Sequence, residues 1–376
     1  MADAVALVLA AGLSSRMTGF KPLLDLGGRS LLARIIELFH AAGVRDVRVV
    51  TGHRAAETRA EAMAAGAMTI ENPDYRQGMF SSVRAGVSGL PQGAPFLLLP
   101  VDIPLVRPGS VRLLLERQAG HPGRILHPTY RGERGHPPLL PADLRADILA
   151  WGGEGGLMGL LARNEERALD IPVADSHILL DMDTDQDVAA LSERLDYLDY
   201  PDREESETLL ASMPNVNERG LAHCRAVERF ASAMAGALLR VGYEPAPDPG
   251  LVGAAALLHD VAKGLPNHEL EGGRILDRLG FPRVARIVEA HRDIDLPSGA
   301  PLTEREIVYL ADKLAQGGRL VSVEERFEAK LRLHGHDPEA AAAIRGRMAR
   351  ALRMRSRMEA AMGLGLEKLL GRPKPA

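Results

Sequence analysis

The sequence predicts an α/β N-terminal domain built on a mostly parallel sheet, followed by an all-α C-terminal domain. Three observations carry this. At 376 residues the chain is long for a single hydrophobic core. Strand-like and helix-like segments alternate up to residue 195, and short strands joined by amphipathic helices make βαβ units, which imply parallel pairing. Beyond that point the strand signals stop and helical periodicity takes over.

The elements follow in order. Residues 4–10 form an apolar, strand-like run that ends at Gly12. Ser30 then caps a helix that places Leu31, Ile35 and Phe39 on one face with Leu32 and Ile36 beside it, and Gly43 stops it. Val47 to Thr51 is the next strand, and Phe96 to Leu99 is another that runs straight into Pro100-Val101-Asp102. A helix opens between Val106 and Pro108. Met182 to Leu195 reads as the last helix of a domain spanning 1–198, with Thr184 and Asp187 as a capping box. The acidic, proline-broken stretch that follows reads as a linker over 199–212. Helical patterns at 216–241, 250–263, 268–279, 282–292 and 303–316 then fill a domain over 213–335. A tail, 336–376, is helical from Glu339 to Leu370. Ile344, Met348 and Leu352 recur in it every four residues, so it packs on the preceding domain or on a second subunit, as in a homodimer.

Composition narrows the function. The formal net charge of −4 argues against a nucleic-acid partner. The apolar start, Val5 to Ala11, is too short to span a bilayer, so no membrane association is expected. Cys224 is the only cysteine, which rules out an internal disulfide and suits a reducing cytoplasm. Adjacent to His223 on a helix, it reads as a core residue.

Residues 7–21, LVLAAGLSSRMTGFK, run from strand through a small-residue loop to basic residues. Small residues let the backbone approach a phosphate chain, loop N–H groups can point at its oxygens, and Arg16 and Lys21 add positive charge. This segment resembles the signature of molybdenum cofactor nucleotidyltransferases, the MobA-like NTP transferases, with Thr18 where that pattern has glycine. Ser81-Ser82-Val83-Arg84-Ala85-Gly86, Pro100-Val101-Asp102-Ile103-Pro104, Gly135-His136-Pro137 and Asp181-Met182-Asp183-Thr184 resemble further segments of the same family, in the expected order.

The resemblance implies a Rossmann-like domain of the nucleotide-diphospho-sugar-transferase type. It implies nucleotide contacts at Leu9, Ala10, Ala11, Gly12, Ser14, Arg16, Lys21, Ser81, Ser82, Arg84, Gly86 and Asp102. Arg16, Lys21 and Asp102 are the expected catalytic groups. Asp102, a carboxylate at the carboxyl end of a strand, lies where ligands bind in open α/β sheets and suits Mg²⁺. Asp183 reads either as the second Mg²⁺ ligand or as part of a solvated acidic helix start. In the family resembled, an Ala-Ala-Gly loop goes with cytidylyltransferases, so Ala10-Ala11 before Gly12 implies CTP. The acceptor segment Gly153-Glu154-Gly155-Gly156-Leu157-Met158 has Met158 where the family has arginine, so a molybdopterin-type acceptor is a first expectation only.

The second half places His223, then His259-Asp260, then Asp312 in predicted helices. Imidazole and carboxylate donors together suit a divalent metal such as Mn²⁺ or Fe²⁺. This pattern resembles the HD phosphohydrolase superfamily, which implies metal-dependent hydrolysis of a phosphate ester. Di-iron oxygenase chemistry is the alternative. His268 and His291 read either as ligands of a second metal or as surface histidines, and Lys263 either as a substrate-phosphate contact or as an exposed helix end.

Together these features describe a bifunctional enzyme acting on a nucleoside triphosphate and a small phosphorylated acceptor, with a molybdoenzyme or its chaperone as the implied protein partner. A sugar-phosphate nucleotidylyltransferase and a nucleotide-sensing regulator with a degenerate transferase half are the rival readings.

Overall fold

The computed structural model describes residues 3–14, 17–294, 297 and 299–372. The chain divides into two compact units, Met1–Leu198 and Asp199–Ala376.

In the first unit the strands are β1 (Val5–Leu9), β2 (Asp46–Thr51), β3 (Met68–Glu71), β4 (Phe96–Pro100), β5 (Ile125–Tyr130), β6 (Glu133–Arg134), β7 (Leu139–Leu140) and β8 (Ala168–Pro172). They form one sheet in the order β3-β2-β1-β4-β7-β5-β6, with β8 beside β5. The β3-β2-β1-β4 stretch is parallel, and β7 pairs antiparallel with both β4 and β5. The helices are α1 (Leu31–Ala41), α2 (Ala55–Ala64), α3 (Met79–Ser88), α4 (Pro108–Gly120), α5 (Leu144–Ala150), α6 (Gly156–Arg163) and α7 (Asp185–Leu195).

The apolar run of β1 is continuous because the sheet is covered on both faces. Val5, Leu7 and Leu9 enter one core with Val50, Phe96 and Leu98, while Ala6, Val8 and Ala10 enter the other with Ile35, Phe39 and Leu99. Ser30 Oγ accepts from Ala33 N at 3.0 Å and caps α1. Gly43, at φ +92°, closes it with Val44 N donating to Phe39 O. The chain leaves β1 toward β2 on one side, and β4 lies on the other. The carboxyl ends of β1 and β4 therefore flank a topological switch point, where open α/β sheets bind ligands.

The second unit is helical: α8 (Arg203–Ser212), α9 (Glu218–Arg240), α10 (Pro249–Leu258), α11 (His268–Arg278), α12 (Pro282–Ala290), α13 (Glu304–Lys313), α14 (Val323–His334), α15 (Pro338–Met362) and α16 (Leu366–Leu370). It is not wholly α, because Ala315–Gln316 (β9) and Arg319–Leu320 (β10) make a short antiparallel ladder. The tail belongs to this unit. Ile344, Ala351, Met354 and Met358 are buried, and α15 packs on α9, α13 and α14.

The segment expected to be a linker, 199–212, is instead an integral part of the second unit. Asp202 and Glu205 form a capping box that starts α8. Leu209 and Leu210 are buried against α10. Tyr200 Oη donates to Asp248 Oδ1 at 3.0 Å, and Arg283 joins Asp199 and Asp248. Asp202 and Glu204 are exposed but Glu205 is buried with Leu209 and Leu210, so the acidity that reads as a tether is partly built into the fold. A fragment 199–376 is therefore expected to fold, whereas 213–376 should lose about 3–6 kcal/mol from the two leucines alone. Urea denaturation of the two fragments measures this, and equal midpoints would return α8 to the status of a tether.

Candidate functional site

The first site opens at the switch point as a cleft of about 550 Å³. Leu9, Ala11, Gly12, Leu13 and Ser14 line it from the end of β1, Asp102 from the end of β4, and Gly78, Met79 and Ser82 from the start of α3. Lys21, in a short 3-10 turn at Lys21–Leu23, completes it with Asp183. The Lys21 ammonium donates to Asp183 Oδ1 at 2.8 Å and to Asp102 Oδ2 at 3.4 Å, so it bridges the two carboxylates.

Three hydrogen bonds hold that arrangement. Lys21 N donates to Ser14 Oγ at 3.0 Å. Met182 N donates to the backbone oxygen of Asp102 at 2.9 Å, which brings the neighbouring Asp183 to the end of β4. Thr18 Oγ1 donates to Asp185 Oδ2 at 2.9 Å, so threonine at this position fastens the loop to the start of α7. The cap of α7 is made by Thr184 and Asp187, and the carboxylate of Asp183 meets Lys21 instead. The acidic run therefore separates into a cap and a site residue.

The other expected contacts divide. Arg16 lies outside the described residues. Ala10 is fully buried and faces the core. Ser81 Oγ donates to Asp74 O and Gly78 O and accepts from Asn72, so it shapes the turn before α3. Arg84 is exposed and outside the cleft lining. Gly86 is a packing residue: a Cβ there would stand 2.7 Å from Leu7 and 2.8 Å from Val50. Gly135 is likewise structural, since a Cβ would stand 2.5 Å from the backbone oxygen of Ile178.

Asn72 was not anticipated. Buried at 2% exposure, it donates to Ser81 Oγ at 2.9 Å and Ser82 Oγ at 3.0 Å and accepts from Asp74 N, which locks the cleft wall. The Asn72-Pro73-Asp74 turn was its one visible signal.

The second site gathers all six expected ligands. His223 lies on α9, His268 opens α11, and Asp312 is near the end of α13. His259 and Asp260 follow α10, and His291 follows α12, so the pair expected on one helix sits just past a helix end. The cause is local. His259 Nδ1 bonds Ala256 O at 2.8 Å, the carbonyl that the Asp260 amide would take if α10 continued. His291 Nδ1 makes the same bond to Val288 O at 2.6 Å. A carbonyl only accepts, so both rings carry the proton on Nδ1 and turn the Nε2 lone pair inward.

Asp260 is the shared group. With His223 and His259 it forms one triad of donor atoms within 4.8 Å, and with His268 and His291 a second. Its two oxygens divide the work. Oδ2 lies 3.5 Å from His259 Nε2 and 3.8 Å from His223 Nε2, while Oδ1 lies 3.5 Å from His268 Nε2 and 3.8 Å from His291 Nε2. Asp312 Oδ1 stands 3.2 Å from His223 Nε2. The buried His259 Nε2 has no hydrogen-bond partner, an orphan that a cation among these donors would satisfy.

The protonation states suit ligands. Burial lowers His259, and it takes His291 down to about 4, so both rings are neutral. Burial alone would raise Asp260, but the adjacent Lys263 ammonium outweighs it and holds the carboxyl below its ordinary value. Burial is likewise outweighed at Asp312 by Arg326 and Lys313, which donate to it at 2.9 and 2.7 Å and which the sequence did not mark. Lys263 Nζ donates to Asp260 Oδ2 at 2.8 Å. Cys224 is buried, and burial pushes its thiol up to about 12, which leaves it an unreactive neighbour.

These states fix a pH dependence. A histidine held below its unfolded value of about 6.5 binds its proton later in the folded chain than in the unfolded one. Metal-free protein should therefore lose stability as pH falls from 6.5 toward about 4, the His291 value. The carboxylates contribute nothing to that slope, because their stabilisation is lost only below their unfolded values of about 4. Thermal denaturation of the chelated protein across this window measures the slope. A flat profile would mean that the rings are solvated.

Fold and site together define the class: a nucleotidyltransferase-type α/β domain joined to an HD domain. The chain belongs to the MobA-like NTP transferase family, whose domain matches residues 6–168, and it carries an HD domain over residues 220–317. It is 29% identical over 189 residues to the molybdenum cofactor cytidylyltransferase of Escherichia coli, which covers 50% of this chain and 95% of that protein. It is 38% identical over 116 residues to the bifunctional IPC transferase and DIPP synthase of Rubrobacter xylanophilus, covering 29% of this chain but only 26% of that protein. It is 32% identical over 150 residues to the nicotine blue oxidoreductase of Paenarthrobacter nicotinovorans, covering 38% of this chain and 72% of that protein. Among the described residues no helix is long and apolar enough to cross a membrane.

Proposed function

We propose that the first unit transfers a nucleotidyl group from a nucleoside triphosphate, CTP by preference, to a phosphorylated acceptor of the molybdopterin type, and that the second hydrolyses a phosphate ester. The observation that carries the first reading is the Lys21 ammonium standing between Asp102 and Asp183 at the switch point. It is a cation in the place where two carboxylates converge, so the donor set fits Mg²⁺. Gly12 supports the reading. A Cβ there would meet nothing within 4 Å, so the loop has open space in front of it that a phosphate chain could fill.

The residues then have distinct tasks. The amides of the Gly12 loop and of the first turn of α3 face the phosphate chain. Lys21, released from the carboxylates as the triphosphate enters, follows the phosphate oxygens. Mg²⁺ held by Asp102 and Asp183 would neutralise charge on the triphosphate. A phosphate oxygen of the acceptor attacks the α-phosphorus, the bond to the β-phosphate oxygen breaks, and pyrophosphate leaves, with no protein nucleophile required. The name of the Escherichia coli relative and the Ala10-Ala11 pair support CTP. Calorimetry with CTP, GTP, ATP and UTP in Mg²⁺ tests the base. CTP is expected to bind tightest, and tighter binding of a purine nucleotide would overturn the preference.

For the second unit, the two triads sharing Asp260 support a pair of divalent ions such as Mn²⁺ or Fe²⁺. Such ions would supply Lewis acidity to a phosphoryl oxygen. Lys263 and Arg326, both on the wall of the adjoining cavity, lie beside the ligands Asp260 and Asp312 and are placed to hold the phosphoryl group.

A further inference from the structure

The cavity beside the second site has a volume of about 420 Å³, in the ~300–1,000 Å³ range of small-molecule pockets. Its cations form two tiers. Lys263 and Arg326 each touch a ligand carboxylate, at 2.8 and 2.9 Å. Arg219 and Lys330 line the same cavity, and neither has an ion-pair partner among the described residues.

Their positions are set by the helices. Arg219 is four residues before His223 on α9, and Lys330 is four residues after Arg326 on α14. Each therefore stands on the same face as a residue at the metal site, one turn of about 5.4 Å farther along. Val216 and Leu333 line the cavity as well, next to Arg219 and Lys330 along the chain. Asp260 is the one carboxylate among the lining residues described, and it is committed to the ligand set. Although Lys330 stays open to solvent, enclosure in the wall, then Arg326 and Lys313, lower its ammonium to about 8. An anion seated beside Lys330 would relieve that repulsion.

We propose that the second unit takes a small organic phosphate ester carrying a second anionic group, a phosphate or a carboxylate, which Arg219 and Lys330 bind about one helical turn out from the phosphoryl group at the metal site. The proposal rests on the phosphohydrolase reading and adds the second anion to it. Val216, Ala329 and Leu333 give the part between the two anions an apolar wall.

The test uses the full-length protein loaded with Mn²⁺ and non-hydrolysable probes. Alkane-α,ω-bisphosphonates with spacers of roughly three to six carbons, chosen to span one helical turn, are compared with the matching alkyl monophosphonates by calorimetry. The best bisphosphonate is expected to bind about 10–100-fold tighter than its monophosphonate. Arg219→Gln with Lys330→Gln should abolish that gain with monophosphonate affinity and metal content unchanged, and the metal content reports that the variant is folded. Equal affinities at every spacer length in the wild type would overturn the second-anion site, and so would a gain that survives in the variant. If monophosphonates do not bind metal-loaded protein at all, the phosphohydrolase reading fails. The second-anion site then stands or falls on whether bisphosphonates bind and lose affinity in the variant.

Discussion

Replacing Asp102 by asparagine is expected to lower nucleotidyl transfer by about 10²–10³-fold or more while leaving the fold intact. The substitution keeps the shape and removes one charge. The backbone oxygen that ties Asp102 to Met182 N is untouched, so the junction between β4 and the Asp183 segment survives. What is lost is half of the carboxylate pair that now holds Lys21 and that would hold Mg²⁺. Asp183→Asn should behave in the same direction, because its side chain meets Lys21 and the cap of α7 belongs to Thr184 and Asp187. Lys21→Ala should instead weaken triphosphate binding, since its ammonium is the charge that follows the phosphates. Steady-state kinetics with the preferred nucleotide, across a Mg²⁺ titration, separates these outcomes. Wild-type rates in Asp102→Asn at every Mg²⁺ concentration would sink the assignment.

Much of this site was legible in the sequence because its parts are contiguous and sit at strand ends. The apolar run to Leu9 announces β1, so whatever follows lies at a carboxyl edge, and the same holds for Asp102 after β4. The serine-rich segment 81–86 was legible only as a block. On a helix it has faces: Ser82 lines the cleft, Arg84 two residues on points away, and Gly86 lies one turn deeper against the sheet. Motif spacing does not say which turn of a helix stops touching the ligand. Asn72 and Arg326 were missed for a different reason. Each acts by reaching another element, and nothing in its own neighbourhood encodes that distance. The linker error was avoidable: Asp202 and Glu205 have capping-box spacing, and that local signal outweighs average acidity. The helix break at His259 was not avoidable, because it depends on where the ring puts its Nδ1 proton.

In the HD unit the largest effect is expected from the double variant His259→Ala, Asp260→Ala, which should carry no metal. Full-length protein grown and purified with Mn²⁺ or Fe²⁺, without chelator, should hold about two ions per chain by elemental analysis. The reason is the division of Asp260, with Oδ2 facing His223 and His259 and Oδ1 facing His268 and His291. Removing Asp260 takes a donor from both triads at once, whereas His268→Ala or His291→Ala removes one from the second triad alone and should leave about one ion. The double variant should lose phosphatase activity and the metal-dependent part of its thermal stability. That part is about RT ln(1 + [L]/Kd), on the order of 4 kcal/mol at a thousandfold excess over Kd. Nucleotide binding by the first unit should be unchanged, since each unit has its own core and its own donor set. One ion per chain in the wild type, unaffected by His268→Ala, would reduce the site to a single centre at His223, His259, Asp260 and Asp312. No metal at all would make the six residues a polar network that holds the fold without chemistry.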